Sequence, residues 1–348
     1  MATGLVLLAI SRPFEGLLLC LPVALATLVG FARRHPSAYA FWRRCVLPSA
    51  SVIAPAAIAF GYYNLAVTGS PFRLPYLVHA EQYAVAPVLV IQSPRPEPEY
   101  RHAELREFYV ESEYEKTYRL EQSRDGWSLR VRAKLQMWWE TYLGYGLTPT
   151  LLVLPCVLLG SRRTQFAMAT CVLVLGFVAT LETWGFSHYV APVAGLIYLV
   201  VVQCFRYVSL CQLAGYAVGR TLVTLWLAGC LILPACSLFP ELHKPRRAWA
   251  TARADAERRF REEGGRHLVI VRYGVGHSVH EDWVYNGADI DGSPVVWARE
   301  MGPEGRARLL AYFTDRTVWL MEEDGSGPHW QRLRGPVATD SAGKSSTR

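Results

Sequence analysis

Two uncharged apolar blocks, residues 46–67 and 142–160, bracket a polar segment and constrain the fold of this chain more than any other feature. Each block has about the 20 residues that a helix needs to cross a lipid bilayer. If both blocks cross a membrane, the polar segment, residues 68–141, lies on one side of it. That placement then determines on which side of the membrane every other connecting segment lies.

Further apolar blocks of similar length occupy residues 16–32, 165–184, 187–205 and 221–239. Residues 1–10 are also apolar, but ten helical residues cover only about half of a hydrocarbon core. We therefore expect this first block to be a truncated span and the chain to be the C-terminal part of a longer protein.

Arginines concentrate in the short connections between these blocks, at Arg33, Arg34, Arg43, Arg44, Arg162, Arg163, Arg206 and Arg220. Short arginine-rich connections mark the cytoplasmic side of a membrane protein. This rule places the polar segment and the tail from residue 240 on the extracytoplasmic side. The net charge of +7 then reflects topology, and no nucleic-acid partner is predicted.

Local patterns predict structure in both polar parts. Residues 105–109 have the spacing of an amphipathic helix, and residues 128–142 are typical of a helix in the headgroup plane or of a lead-in to the next span. In the tail, helices at 249–263 and 304–313 alternate with strands at 267–273, 294–298 and 317–321, which predicts a small α/β domain over residues 240–324. The composition of residues 325–348 predicts a disordered end.

Catalytic motifs of soluble enzymes are missing from the sequence, and no Cys-x-x-Cys pair is present among its eight cysteines. Charged residues are also scarce within the apolar blocks, which argues against an ion-coupled transporter. The candidates for binding or catalysis are therefore the polar residues next to the predicted spans.

Four such residues flank the outer ends of spans. Arg12 and Glu15 follow the first block, where they either pair with each other or present Arg12 to a lipid-linked phosphate. His188 and Tyr189 open the block at 187–205, where His188 either caps the helix and meets water or meets a headgroup phosphate.

Two other pairs of polar residues each allow two interpretations. His79 and Glu81 share one side of the chain if their segment is a strand, and they form either a surface pair or an acid-base or substrate-binding site. Asp289 and Asp291 form an Asp-x-Asp that suits a divalent cation, but the neighbouring Asn-Gly and Asp-Gly steps favour a polar turn. No cofactor is predicted.

The order of these segments resembles the C-terminal half of a GT-C superfamily membrane glycosyltransferase, the group that includes protein O-mannosyltransferases and aminoarabinose transferases. Residues 4–16, with Arg12-Pro13, look like the family's Arg-Pro signature, and residues 188–192 are similar to its His-Tyr-x-x-Pro. Residues 70–87 and 283–291 also look like segments of bacterial family-39-like members.

The resemblance implies an inverting transferase that uses a polyprenyl-phosphate-linked sugar at the extracytoplasmic face. It places the catalytic acid in a loop after the family's first span, which this sequence lacks, so no catalytic residue is carried over. Arg12, His188 and Tyr189 are implied as part of the surface for the lipid phosphate or donor sugar.

We expect an α-helical polytopic membrane protein with an extracytoplasmic loop domain and a small C-terminal α/β domain, located in a bacterial inner membrane. The expected function is the C-terminal portion of a glycosyltransferase, incomplete without an N-terminal partner segment or chain. The alternative is a non-enzymatic membrane scaffold whose envelope-facing domain binds a partner.

Overall fold

The computed structural model describes residues 2–34, 37–242, 248–274, 277–323 and 327–335. The chain divides into two compact units. The first consists of Met1–Pro98 and Tyr109–Phe239, and the second of Glu99–Phe108 and Pro240–Arg348.

Helices account for almost all regular structure up to residue 242. The α-helices are α1 (Ala2–Ser11), α2 (Pro13–Arg34), α3 (Ala38–Phe41), α4 (Leu47–Thr68), α5 (Pro75–Tyr83), α6 (Ala103–Arg106), α7 (Arg119–Glu121), α8 (Arg124–Tyr142), α9 (Gly144–Leu147), α10 (Leu154–Gly160), α11 (Arg162–Leu181), α12 (Ala194–Ser209) and α13 (Val218–Leu242). Trp42–Val46 and Glu107–Tyr118 are π-helical, and Thr148–Val153, Ser187–Tyr189 and Ala191–Val193 are 3₁₀ turns.

Four helical stretches are long and apolar enough to cross a membrane: Pro13–Arg33, Tyr39–Thr68, Arg162–Leu181 and Ala191–Ser209. The most apolar stretch of Tyr39–Thr68 buries none of its residues within the protein. A helix so apolar and so exposed is compatible with a lipid environment. Two shorter apolar helices, Ala2–Ser11 and Val218–Leu233, accompany these four.

The predicted span at residues 142–160 is not one straight helix. The helical stretch Gly144–Gly160 is bent by 76° from the stretch Arg124–Tyr142 that precedes it. The protein has a fifth candidate span only if these two stretches together form one bent span. Gly144 has a positive φ of 53°, and Pro149 and Pro155 remove backbone donors that a continuous α-helix needs.

Helix α11 lies at the centre of the first unit. Its buried residues Ala167, Cys171, Val174 and Val178 recur every three or four positions and form one stripe along the helix. The stripe packs against α8 through Trp138 and against the residues that lead into α12.

The second unit contains a four-stranded sheet in the order β2-β1-β3-β4. Its strands are β1 (His267–Tyr273), β2 (Val295–Arg299), β3 (Thr317–Glu323) and β4 (Pro328–Arg334), and its helices are α14 (Ala248–Glu263) and α15 (Gly302–Tyr312). β1 runs parallel to β2 and β3, whereas β4 is antiparallel to β3.

Both faces of this sheet are covered, so its central strands are apolar on both sides. Val269 and Val271 of β1 pack with Phe260 of α14, whereas Leu268 and Ile270 pack with the face that carries α15. Alternate side chains point to opposite faces, which is how one strand contributes to two cores.

The structure confirms the three predicted strands and the two predicted helices of the tail to within about two residues. The interpretation of residues 325–348 as a disordered end is wrong for Pro328–Arg334, because these residues form the edge strand β4 and bond to β3. Residues 336–348 lie outside the described residues.

Candidate active site at the ends of α1, α2 and α11

Five polar residues from distant parts of the first unit meet at the ends of its helices. We call them the Arg12 cluster, and they are Arg12, Glu15, Glu182, His188 and Tyr189. Four of the five were singled out in the sequence, and the fold brings all four together.

Arg12 occupies the break between α1 and α2. Its backbone N–H donates to the Leu8 carbonyl at 2.7 Å, and Pro13 then starts α2, so the chain turns with little loss of hydrogen bonds. The guanidinium pairs with Glu15, at 3.9 Å between Nη1 and Oε1, and also lies over the Tyr189 ring, 4.0 Å from its centroid. The expected Arg12–Glu15 pair therefore forms, but within a larger group.

Glu182 is the one member of the cluster that was not predicted from the sequence. It follows the last residue of α11 and is only 3 % exposed. Burial and the Glu15 carboxylate raise the pKa of Glu182 to about 7, against the opposing effects of Lys134 and Arg12. A lone carboxylate at the end of a span is the signal that could have identified it.

A short backbone ladder explains why Glu182 is buried. Leu89 pairs with Glu182 as an antiparallel bridge. The Val90 N–H donates to the Leu181 carbonyl at 2.8 Å, and the Thr183 N–H donates to the Val88 carbonyl at 2.9 Å. The polar segment thus covers the end of α11 and satisfies its backbone groups.

Helix α8 holds the other side of the segment that follows Glu182. Lys134 Nζ donates to the Glu182 carbonyl at 2.5 Å and pairs with buried Glu121 at 3.2 Å. Trp138 Nε1 donates to the Gly185 carbonyl at 2.9 Å, and Tyr142 Oη donates to the Ser187 carbonyl at 2.7 Å. Three side chains on one helix therefore fix the backbone that carries His188 and Tyr189.

Two buried polar atoms of this segment lack a hydrogen-bond partner among the residues that the structure describes: Glu182 Oε2 and Trp184 Nε1. Buried polar atoms are normally paired with protein or water. An acceptor and a donor left open in one short segment are typical of a site that a ligand or water completes.

His188 and Tyr189 form the outer part of the cluster. His188 is exposed and stacks on Phe186, with ring centroids 5.8 Å apart. Partial burial and the Arg12 charge lower the pKa of His188, so its imidazole is neutral at pH 7. Burial raises the pKa of Tyr189, although Arg12 acts in the opposite direction.

His79 and Glu81 are not part of this cluster. They lie on helix α5, which Pro75 starts, so the segment is not the strand in which both side chains would share one side. His79 Nε2 bonds Tyr109 Oη at 2.7 Å, and Glu81 pairs with Arg73. Helix α5 approaches the cluster through Tyr76 instead, whose pKa is raised by burial and by the Glu15 charge.

Asp289 and Asp291 lie in a polar turn before β2. Asp289 Oδ1 accepts from the Gly292 N–H at 2.8 Å, and Asp291 Oδ2 accepts from Tyr312 Oη at 2.9 Å. Within the described ranges, no three His, Cys, Asp or Glu residues are grouped so that they would hold a metal ion.

The Arg12 cluster combines a cation, a buried carboxyl with a near-neutral pKa and a neutral imidazole. A guanidinium suits a phosphate or carboxylate ligand, and a carboxyl with a pKa near 7 suits proton transfer. Comparison of the chain with family models, with curated proteins and with solved structures gives no match.

Proposed function

We propose that this chain is the C-terminal portion of a membrane glycosyltransferase that takes a sugar from a polyprenyl-phosphate-linked donor, and that the Arg12 cluster is its phosphate-binding and proton-transfer site. One observation carries the proposal. Arg12 and Glu15 lie far from Tyr189 in the sequence, yet Arg12 contacts both Glu15 and Tyr189, and the charges of Arg12 and Glu15 act on the buried carboxyl of Glu182.

The proposed role of Arg12 is to bind the donor phosphate. Its guanidinium is partly exposed and already oriented by Glu15 and by the Tyr189 ring. A guanidinium offers two parallel donors to phosphate oxygens, which fixes both position and orientation. The neutral imidazole of His188 adds a hydrogen-bonding group at the exposed side of the cluster.

The proposed role of Glu182 is to accept a proton. The acceptor hydroxyl attacks the anomeric carbon and forms the new C–O bond, while the bond from that carbon to the phosphate oxygen breaks and polyprenyl phosphate leaves. The hydroxyl proton passes to the ionised Glu182 carboxylate. A pKa of about 7 is suited to this role, because about half of the groups are ionised near neutral pH.

The proposed location is the extracytoplasmic face of a bacterial inner membrane. The arginine-rich connections, such as Arg162-Arg163 at the start of α11, lie at the opposite helix ends from the cluster. Because such connections favour the cytoplasm, the ends of α11 and α1 are assigned to the other face.

The proposal is tested first by binding. The full chain is purified into lipid nanodiscs, and binding of a long-chain polyprenyl phosphate is measured by native mass spectrometry for wild type and Arg12→Gln. We expect Arg12→Gln to weaken binding by about tenfold to a hundredfold, as for the loss of a charge-assisted hydrogen bond. Arg73→Gln is the matched control, since Arg73 pairs with Glu81 outside the cluster.

Transfer is tested second, with a panel of polyprenyl-phosphate monosaccharides and release of polyprenyl phosphate as the readout. The Glu182→Gln variant is expected to bind polyprenyl phosphate as wild type does but to release none from the sugar donors. Equal binding of polyprenyl phosphate by wild type and by Arg12→Gln would overturn the proposal that Arg12 binds the phosphate. Binding without release of polyprenyl phosphate from any donor, also when membrane extract supplies acceptors and any partner chain, would overturn the enzyme and favour the scaffold alternative.

A further inference from the structure

A groove in the first unit lies apart from the Arg12 cluster and combines one charged group with apolar walls. This groove has a volume of about 660 Å³ and lies between the end of α8, helix α9, helix α12 and helix α13. Volumes of this size are typical of small-ligand sites. We call it the α8–α13 groove.

The polar end of the groove is formed by α8. Glu140 and Thr141 line it there, and Glu140 is the only charged residue in its described lining. Gln136 Nε2 donates to one Glu140 carboxylate oxygen at 2.9 Å. A carboxylate has about four acceptor positions, so Glu140 retains capacity for a donor in the groove.

The opposite wall is apolar and comes from α13. Trp226 Nε1 donates to the Gly146 carbonyl at 2.6 Å, which fixes α13 against α9, and Leu233 of the same wall is exposed. Leu143 and Leu147 add further apolar surface. The groove therefore offers a hydrocarbon-like surface beside a single negative charge.

The groove is open beside Gly229. A Cβ built on Gly229 meets no atom within 4 Å, although the residue lines the groove. The missing side chain leaves room for a ligand against the backbone of α13.

We propose that the α8–α13 groove binds one membrane lipid with an amine-bearing zwitterionic headgroup. The Glu140 carboxylate receives the ammonium N–H groups, and the upper part of an acyl chain lies along Leu143, Leu147 and Leu233. Charge complementarity selects this occupant, because an anionic headgroup would meet Glu140 with like charge. The site is independent of the phosphate proposed for Arg12.

The groove is also connected to the segment that carries the Arg12 cluster. Thr141 Oγ1 and Ser187 Oγ lie 2.8 Å apart, and Ser187 immediately precedes His188. A lipid headgroup in the groove is therefore placed next to the backbone that positions His188 and Tyr189.

The experiment uses the full chain in nanodiscs of phosphatidylcholine that contain equal small amounts of phosphatidylethanolamine and phosphatidylglycerol. Lipids that remain bound after release into the gas phase are counted by native mass spectrometry. Wild type is expected to retain one phosphatidylethanolamine in preference to phosphatidylglycerol. Glu140→Gln is expected to lower that preference by about tenfold. Asp125→Asn, at the other end of α8, is the matched control and should leave the preference unchanged.

Filling the groove gives a second and independent readout. Gly229→Phe should abolish retention of the lipid, whereas Gly176→Phe on α11 should not, since Gly176 also has open space around a built Cβ but does not line the groove. If Gly229→Phe fails to fold, Gly229→Leu takes its place. The proposal is overturned if wild type shows no preference for phosphatidylethanolamine or if the filled groove retains the lipid as wild type does.

Discussion

The guanidinium carbon of Arg12 lies 4.0 Å from the centroid of the Tyr189 ring, and this contact joins the break before α2 to the turn before α12. A cation above an aromatic face contributes about 0.5 to 2 kcal/mol, more when water is excluded. Because Tyr189 is half-buried, the contact orients Arg12 as well as attracting it.

Tyr189→Leu should therefore weaken the proposed phosphate binding although the Arg12 cation is still present. We expect the dissociation constant of a short-chain polyprenyl phosphate to rise by about three- to tenfold, as loss of a partly buried cation–π contact implies. Titration followed by intrinsic tryptophan fluorescence measures it. Tyr62→Leu, at an exposed tyrosine of α4, should bind as wild type does, and an unchanged constant for Tyr189→Leu would show that the ring does not orient Arg12.

Lys134→Met should destabilise the protein strongly. The change leaves Glu121 buried with one ion-pair partner, Arg130, and removes the donor to the Glu182 carbonyl. We expect a loss of about 3 kcal/mol in the free energy of unfolding, measured by SDS titration in mixed micelles.

The double variant Lys134→Met with Glu121→Gln serves as the control, because it also removes the buried carboxylate that Lys134 neutralises. It should recover a large part of the loss, and purely additive effects of the two substitutions would contradict a direct coupling between these side chains.

Stability should fall as the pH rises toward neutrality. Burial raises the pKa of Glu182 from its ordinary 4.5 to about 7, so the folded protein binds a proton that the unfolded chain releases. This contribution is fully present below about pH 4.5 and is lost as the pH rises through about 7, by on the order of 3 kcal/mol.

Glu182→Gln should flatten that dependence when unfolding is followed from pH 4.5 to 8. Glu113 also has a pKa raised to about 7 by burial, so Glu113→Gln is measured in parallel to separate the two carboxyls. If the dependence of the free energy of unfolding on pH is unchanged in Glu182→Gln, a group other than Glu182 is responsible for it.

Gly16→Leu should separate α1 from α2. A Cβ at Gly16 would lie 2.9 Å from the Leu8 Cβ and 3.2 Å from the Leu8 carbonyl oxygen, so α1 must shift and Arg12 with it. We expect a loss of about 1 to 3 kcal/mol in stability together with weaker phosphate binding. Gly30→Leu on the same helix has open space and should change neither measurement.

The sequence contained enough information to predict the tail, because its strands are apolar and lie between clear helical patterns. Strand β4 was missed because Pro328–Arg334 is polar and exposed, and only its pairing with β3 makes it a strand. Pro75 was a usable signal that residues 75–83 form helix α5 and not a strand.

The candidate site was predictable in part for a similar reason. Arg12, Glu15, His188 and Tyr189 stand out as polar residues at the ends of apolar blocks, which is a local property. The burial of Glu182 depends on backbone bonds to Val88 and Val90, and no local pattern encodes a partner so far away in the chain.

Pairing between the polar segment and the end of α11 also determines the order in which the site forms during synthesis. Thr183 Oγ1 donates to the Pro87 carbonyl, 96 residues earlier in the chain. Residues 84–90 therefore leave the ribosome long before their partners exist, with Val85 and Ala86 still uncovered. A nascent chain arrested before Thr183 would leave this stretch open to proteolysis, whereas a chain extended past Tyr189 contains the partners of this stretch and all five residues of the Arg12 cluster.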